Sequence, residues 1–435
     1  MNIFKAYDIR GIYDKELNLD ITKKIGVAFQ KLLKTKEIVI GYDCRLSSIP
    51  IKNAFTSNLN HKIIDIGQVS TPLFYYVVAN YNKKAGAMIT ASHLEAKYNG
   101  IKLVKKIAFP LTYETGIKEI EKLTKKIKLK KAKPRIIKKS FIDNYIKWVT
   151  KNIKLKKELK VIIDCGNGVM GPIATKAFKK VNCKVISCLY CNPNGKFPNH
   201  TPNPLLNDTL KKLQKEVNLK KADLGIAFDG DGDRLRIVNN KGKIIDNDII
   251  NAIFSRYYLE NNPKNKIVYC INSSNIFKEY IDENEGFAIL AKVGHSYIKQ
   301  KMIQNKAIFG GEYSGHFYFK DTFYHDDALY AALKFLEIYS EQELNNEINY
   351  LSNKYYTIPE LRINIKNKDL IIKKLENKFK NYKTSKLDGI KIYFEKGWAL
   401  VRSSHTEDIL SIRIEAINKK EFEKIKKLII KNVRN

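Results

Sequence analysis

The segment Ala227 to Arg234, AFDGDGDR, sets Asp229, Asp231 and Asp233 on alternate residues directly after a predicted strand. In extended or tightly turning backbone such residues point one way, and Gly230 and Gly232 permit the turn. Three carboxylates held that close repel one another unless a cation neutralises them, and a hard divalent ion such as Mg2+ takes oxygen ligands of this kind. A polar turn with Asx caps is the competing reading, and a lone D-x-D would merit it. Three acids at a strand end, followed by Arg234, favour the metal. An EF-hand is excluded, because the twelfth position from Asp229 is not glutamate.

Three further segments carry chemistry. In MITASHLEAKYNGIKL, Met88 to Leu103, Ser92 ends a strand beside His93, with Lys102 downstream. A serine hydroxyl there can act as a nucleophile or carry a phosphoryl group, and a phosphoserine beside three carboxylates would give a cation another oxygen ligand. An isolated serine would more often cap a helix. In GGEYSGHFYF, Gly310 to Phe319, the residues Glu312, Ser314 and His316 alternate and share one side, and Glu with Ser suits vicinal sugar hydroxyls. In VRSSHTEDILSIRIEA, Val401 to Ala416, Arg402 stands beside Ser403, Ser404, His405 and Thr406, a cradle for a phosphate dianion.

The elements that must position these groups repeat. A strand in IVIGYDCR and another ending at Thr90 make a first α/β cycle; VIIDCGNGVMGPIATKAFKKV and LGIAF make a second. IVYCIN, AILAKVGH and AIFGGEYSGH make a third. After a charged helix near Leu344, alternating strands and a helix at Lys419 to Val433 form a small α+β unit. That helix sets Phe422, Ile425, Leu428, Ile429 and Val433 on one face, which packing on the preceding sheet explains better than a membrane surface. The fold class is therefore α/β, with three tandem α/β domains of related topology and a smaller C-terminal α+β domain. The expected divisions are 1–137 for the serine loop, 138–244 for the acidic loop, 245–346 for the sugar loop and 347–435 for the phosphate loop.

Composition bounds the rest. The chain has 435 residues, 44% hydrophobic and 29% charged, enough for several cores, which excludes a disordered tail or a disulfide mini-scaffold. Lysines interrupt every apolar run before about 18 residues, and MNIFKAYDIRG lacks the order of a signal peptide, so a cytoplasmic protein is expected. Lys and Arg number 79 against 45 Asp and Glu, a net charge of +34. The lysines are scattered along nearly every segment, so a solvated basic surface is expected in place of a nucleic-acid patch. Cys188 and Cys191 form a C-x-x-C with no second close pair or nearby histidine ligands, so zinc is not expected and the six cysteines read as reduced thiols. Gly166, Gly168 and Gly171 spell G-x-G-x-x-G between a strand and a helix, but the acid about 20 residues on that a dinucleotide ribose needs is missing. No P-loop pattern occurs.

These segments fall in one family's order. FKAYDIRG, GYDCRLSS, TASH with YNGIK, GNG, PNGKFPNHTPNP, DGDGDR, KVGH, GGEYSGH and RSSHTE extend from Phe4 into the last domain. The sequence resembles the α-D-phosphohexomutases, and within them the bacterial phosphomannomutase branch. The resemblance implies four domains around a central cleft, a phosphoserine at Ser92, and one Mg2+ held by its phosphate and by Asp229, Asp231 and Asp233. It implies that hexose 6-phosphate and hexose 1-phosphate, chiefly those of mannose with glucose phosphates as alternatives, interconvert through a hexose 1,6-bisphosphate that also serves as activator. Arg10, His93, Lys102 and Arg234 would line the reaction centre, with Lys102 as general acid/base provided that its pKa is depressed. Glu312 and Ser314 would grip the sugar hydroxyls, with His295 and His316 in the substrate site. Tyr7, Arg402, Ser404, His405 and Thr406 would anchor the non-reacting phosphate. The implied partner is a small phosphosugar, with no specific nucleic acid and no membrane, and the chain a monomer or weak homo-oligomer.

Departures from the family pattern carry expectations of their own. Leu94 and Glu95 replace Asn-Pro after Ser-His, which leaves the rigidity of the loop open and adds a negative charge near the nucleophile. His405 and Asp408 replace Asn and Pro, Tyr313 stands where Met is frequent, and Asn272 stands where a basic residue is frequent. Against the mutase stand a simple phosphatase and an inactive paralogue that uses its charge to bind polyanions.

Overall fold

The computed structural model describes residues 3–365, 367–403 and 409–434. Ser404, His405 and Thr406 of the expected phosphate cradle lie outside the described residues. The chain divides into two bodies, Met1–Ile245 with Ser314–Glu343, and Asp246–Tyr313 with Leu344–Asn435.

The first body contains two mixed sheets with a shared logic. In one, Ala85–Ile89 pairs parallel with Glu37–Tyr42 and antiparallel with Tyr98–Lys105. In the other, Leu224–Phe228 pairs parallel with Lys160–Asp164 and antiparallel with Leu235–Asn239. Each central strand is apolar and fully buried, as a strand covered on both faces must be. In both sheets the chain leaves the carboxyl end of that strand, makes a polar loop and returns antiparallel, so the serine loop and the acidic loop occupy equivalent places. Carboxyl ends of parallel strands are where open α/β sheets bind ligands.

Glycine lets the loops approach. A Cβ on Gly168 would lie 2.7 Å from the Gly230 carbonyl oxygen, and one on Gly171 would lie 1.8 Å from that of Cys191. The G-x-G-x-x-G spacing thus answers to backbone packing beside the acidic loop. The six-thiol expectation is corrected: Cys188 and Cys191 are joined by a disulfide, while Cys44, Cys165, Cys183 and Cys270 are free. Their Cα atoms stand 5.8 Å apart where the edge strand Lys184–Leu189 runs into a turn, within the usual reach of a disulfide.

The second body has a parallel arrangement of Phe287–Ala291, Lys266–Cys270 and Phe309–Gly311. It also holds an antiparallel sheet in which Gly397–Ser403 lies between Ile390–Phe394 and Ile409–Ala416. The helix Lys419–Arg434 lays Phe422, Ile425, Ile429 and Val433 into that sheet's core, as its periodicity requires. Leu428, expected on the same face, is 36% exposed. Among the described residues no helix is long and apolar enough to cross a membrane.

Candidate active site

The first body brings Ser92 and the three aspartates together. Ser92 Oγ donates to Asp229 Oδ2 at 2.8 Å, and ligand oxygens of Asp229, Asp231 and Asp233 lie within 4.8 Å of one another. Asp229 Oδ1 accepts the backbone N–H groups of Gly232, Asp233 and Arg234 at 2.9, 3.1 and 3.2 Å, which curls the loop around its first carboxylate. Asp231 meets the N-terminus of the helix Thr71–Asn80: Thr71 N donates to its carbonyl at 2.8 Å and Thr71 Oγ1 to its Oδ2 at 2.6 Å. A helix N-terminus favours negative charge there.

Lys102, from the antiparallel return strand, closes the cluster. Its Nζ lies 2.8 Å from Asp231 Oδ2 and 2.6 Å from Asp233 Oδ2. Burial opposes the ammonium charge, but Asp231 and Asp233 outweigh it and hold the lysine well above its ordinary pKa. The depressed lysine pKa expected from the sequence is therefore reversed here, since two carboxylates at contact distance favour the cation. Burial and repulsion from Asp233 and Asp231 push Asp229 well up. Burial works against charge on Asp233 too, yet Lys102 and His316 outweigh it and hold that carboxyl well down.

His93 Nδ1 is 3.2 Å from Ser92 Oγ. Burial, then the positive charges of Arg234 and Arg10, hold this imidazole well below its usual pKa, so it is neutral. Arg10 pairs with Asp8, and Tyr7 is buried beside them. Ser314 Oγ is 2.8 Å from His316 Nδ1, while His316 Nε2 faces Asp233 Oδ1 at 3.4 Å and Asp326 Oδ2 at 3.8 Å.

The residues present fit a hard cation. Every ligand atom that Asp229, Asp231 and Asp233 offer is a carboxylate oxygen, and Asp231 Oδ1 is buried without a hydrogen-bond partner among the described residues, as an oxygen reserved for a metal would be.

Sequence reasoning missed what stiffens the serine loop. Ser92 adopts φ +51°, a left-handed conformation unfavourable for serine. The fully buried Arg45 holds it there: Nη2 donates to the carbonyls of Ser92 and Leu94 at 2.9 and 2.7 Å. Its Nη1 reaches those of Glu95 and Tyr98 at 2.6 and 3.0 Å, and Nε binds Asp43 at 3.1 Å. Arg45 thus ties down the backbone of the loop that carries the Leu94-Glu95 departure. The Glu95 side chain turns out to solvent and pairs with Lys97 at 2.7 Å. Thr71 and Asp326 were also missed, since nothing local in their sequence marks the contact.

The second body holds the other expected groups. Glu312 is buried directly after Phe309–Gly311, and His295 begins the helix His295–Asn305. Arg402 Nε donates to Asp388 Oδ2 at 3.1 Å.

Family models for phosphoglucomutase/phosphomannomutase match the chain four times in order. The α/β/α domains I, II and III cover residues 1–131, 139–242 and 246–355, and the C-terminal domain covers 360–432. The chain belongs to the phosphoglucomutase/phosphomannomutase family. It is 35% identical to a Pseudomonas putida phosphomannomutase/phosphoglucomutase, with 98% of this chain and 94% of that protein aligned. It is 35% identical to a Methanocaldococcus jannaschii phosphomannomutase, over 99% and 98% of the two chains. A Burkholderia thailandensis phosphoglucomutase/phosphomannomutase family protein superposes with TM-score 0.90 at 30% identity, covering 100% of this chain and 98% of that one. Like its family, the chain is an intramolecular phosphotransferase, an isomerase, and Mg2+ is the family's metal. The buried group Asp229, Asp231 and Asp233 is consistent with that metal.

Proposed function

We propose that this enzyme interconverts mannose 6-phosphate and mannose 1-phosphate, and the glucose phosphates as second substrates, through phosphorylated Ser92 and a hexose 1,6-bisphosphate. The carrying observation is Ser92 Oγ at 2.8 Å from Asp229, within the buried three-carboxylate cluster. Relatives named for mannose and for glucose phosphates match at similar identity, which supports both substrates.

In the first transfer a sugar hydroxyl oxygen bonds to phosphorus as the bond from phosphorus to Ser92 Oγ breaks, and one proton passes in net from that hydroxyl to Oγ. The neutral His93 imidazole, 3.2 Å from Oγ, is able to take and return the serine proton. Lys102 enters the reaction charged and offsets the phosphoryl oxygens. Asp229, Asp231 and Asp233 would hold Mg2+, which when bound would supply charge stabilisation to the transferring phosphoryl group. Arg10 and Arg234 add positive charge, Glu312 and Ser314 with His295 and His316 hold the sugar, and Tyr7 and Arg402 hold its resting phosphate. Inverting the bisphosphate and returning the other phosphoryl group to Ser92 completes the turnover. The four divisions 1–137, 138–244, 245–346 and 347–435 serve as the units that carry these groups, in a cytoplasmic monomer or weak homo-oligomer.

Purified protein with Mg2+ and glucose 1,6-bisphosphate, offered mannose 1-phosphate, glucose 1-phosphate and glucosamine 1-phosphate in parallel, tests this. The wild type should isomerise the first fastest and carry one phosphoryl group by intact mass, and Ser92→Ala should do neither. Release of inorganic phosphate at the turnover rate, or full activity in Ser92→Ala, refutes the proposal.

A further inference from the structure

Within the second body, Arg413 is the side chain whose placement the general reading leaves unused. It lies in the strand Ile409–Ala416, paired in register beside Gly397–Ser403, which carries Arg402. It is 1% exposed. Its Nη2 donates to Asp248 Oδ2 at 2.7 Å, and its Nη1 donates to the Asn272 carbonyl. The face of the guanidinium lies over the Tyr313 ring, 3.7 Å from Cζ to the ring centre.

Tyr313 adjoins Glu312, and both sides of that glutamate are fastened. The Tyr313 carbonyl accepts from Asn247 Nδ2 at 3.1 Å. On the other side Asn251 presses on Gly311, where a Cβ would lie 1.9 Å from its Oδ1. Arg413 ties this loop to the phosphate-domain sheet. The same sheet binds the segment 271–275 at two more points: Lys391 Nζ donates to the Ile271 carbonyl at 2.9 Å, and Glu415 Oε1 accepts Asn275 N at 3.0 Å.

A buried arginine that only pins two domains together would need Asp248 and Asn272 and no more. The stack on Tyr313 is additional, and it lands one residue from the group that grips the sugar. We propose that Arg413 is a positioning residue for substrate recognition, which through Tyr313 fixes Glu312 relative to Arg402. The sugar-hydroxyl grip and the phosphate grip then stand at a constant spacing, which a hexose phosphate bound in either orientation requires. This rests on Glu312 and Arg402 being substrate groups.

Full-length Arg413→Lys, Tyr313→Leu, Tyr313→Phe and the Arg413→Lys/Tyr313→Leu double variant test it, with kcat, KM and thermal midpoint measured alongside Glu312→Gln. Lysine keeps the charge opposite Asp248 and loses the planar stack. Arg413→Lys and Tyr313→Leu should each raise KM about tenfold and leave kcat nearly unchanged, while Tyr313→Phe keeps the stack and the KM. The double variant should be no worse than either single change, because the two side chains form one interaction. Tyr313→Leu leaves the Arg413–Asp248 pair intact and carries the test if Arg413→Lys does not fold. Unchanged KM with a lowered thermal midpoint in both single variants overturns the proposal, as do additive effects. An unchanged KM in Glu312→Gln instead overturns the reading of the sugar site itself.

Discussion

Replacing Gly230 by alanine should separate the serine loop from the acidic loop without altering any charge. An added Cβ would lie 2.6 Å from the Ser92 carbonyl oxygen, with Pro202 Cβ and Cγ at 3.4 Å. Relieving that contact takes a movement of about 0.5 Å, since a carbon and an oxygen settle near van der Waals distance. The Ser92 carbonyl cannot retreat freely, because Arg45 Nη2 holds it at 2.9 Å. The displacement therefore passes to Asp229 and Asp231, the neighbours of Gly230, and opens the 2.8 Å contact from Ser92 Oγ to Asp229. Overpacking of this size costs about 1–3 kcal/mol of stability. Misplacing a transferring group by part of an ångström should cost about 10- to 100-fold in kcat. Gly67→Ala is the matched control: Gly67 has φ +82° and, among the described residues, nothing within 4 Å of an added Cβ. It should lose about 1 kcal/mol through backbone strain and keep its kcat. Steady-state turnover with saturating Mg2+ and bisphosphate, set beside thermal unfolding, decides it. If Gly230→Ala turns over within twofold of wild type, the close fit of the two loops does not align the reaction.

Arg45→Lys should destabilise the protein by about 3–5 kcal/mol and speed amide exchange across residues 92–98, because three lysine donors cannot serve one carboxylate and four carbonyls; unchanged exchange would show the loop rigid by itself. Burial raises the Asp327 carboxyl from 3.8 to about 7, against the hydrogen bonds from Tyr330 N and Tyr145 that favour its charged form. A raised carboxyl gives stability that is complete below pH 3.8 and lost as pH rises through about 7. Asp327→Asn does not titrate, so its stability relative to wild type should rise by about 4 kcal/mol between pH 4 and pH 8 in denaturant titrations, and a constant difference across that range would refute the assignment.

The sequence made the strand ends legible because chemistry concentrates there. DGDGDR and TASH each follow a short apolar run, and the structure puts both at the carboxyl ends of buried central strands. Lys102 was also found, being in register on the return strand opposite Met88. Its charge state was not, because a lysine's pKa depends on which carboxylates arrive from a loop 129 and 131 residues away in the chain. Arg45 escaped for a similar reason. It binds carbonyl oxygens, which every residue has, so its targets leave no trace in side-chain identity. The disulfide failed from the opposite cause: C-x-x-C spacing alone does not say whether two Cβ atoms face each other. Arg413 and Tyr313, 100 positions apart, meet only because the last sheet packs on the third domain's loops.

The charge arrangement around Ser92 also explains why the three aspartates are not equivalent. Lys102 bonds Asp231 and Asp233 and leaves Asp229 to the serine hydroxyl. Asp229 is accordingly the carboxyl that repulsion from its two neighbours helps push up, while Asp233, with Lys102 and His316 beside it, is held down. A hydroxyl donating to Asp229 is a weak remedy for that repulsion, and it exists only while Ser92 bears its proton. Esterifying Oγ would remove this hydroxyl donor from Asp229 and bring nearly two more negative charges to the same spot. With Ser92 phosphorylated as proposed, the cluster would demand a divalent cation, and phosphorylation and metal binding at the aspartates would strengthen each other. That reciprocity follows from linkage: whatever the phosphate does for the metal's affinity, the metal does for the stability of the phosphate.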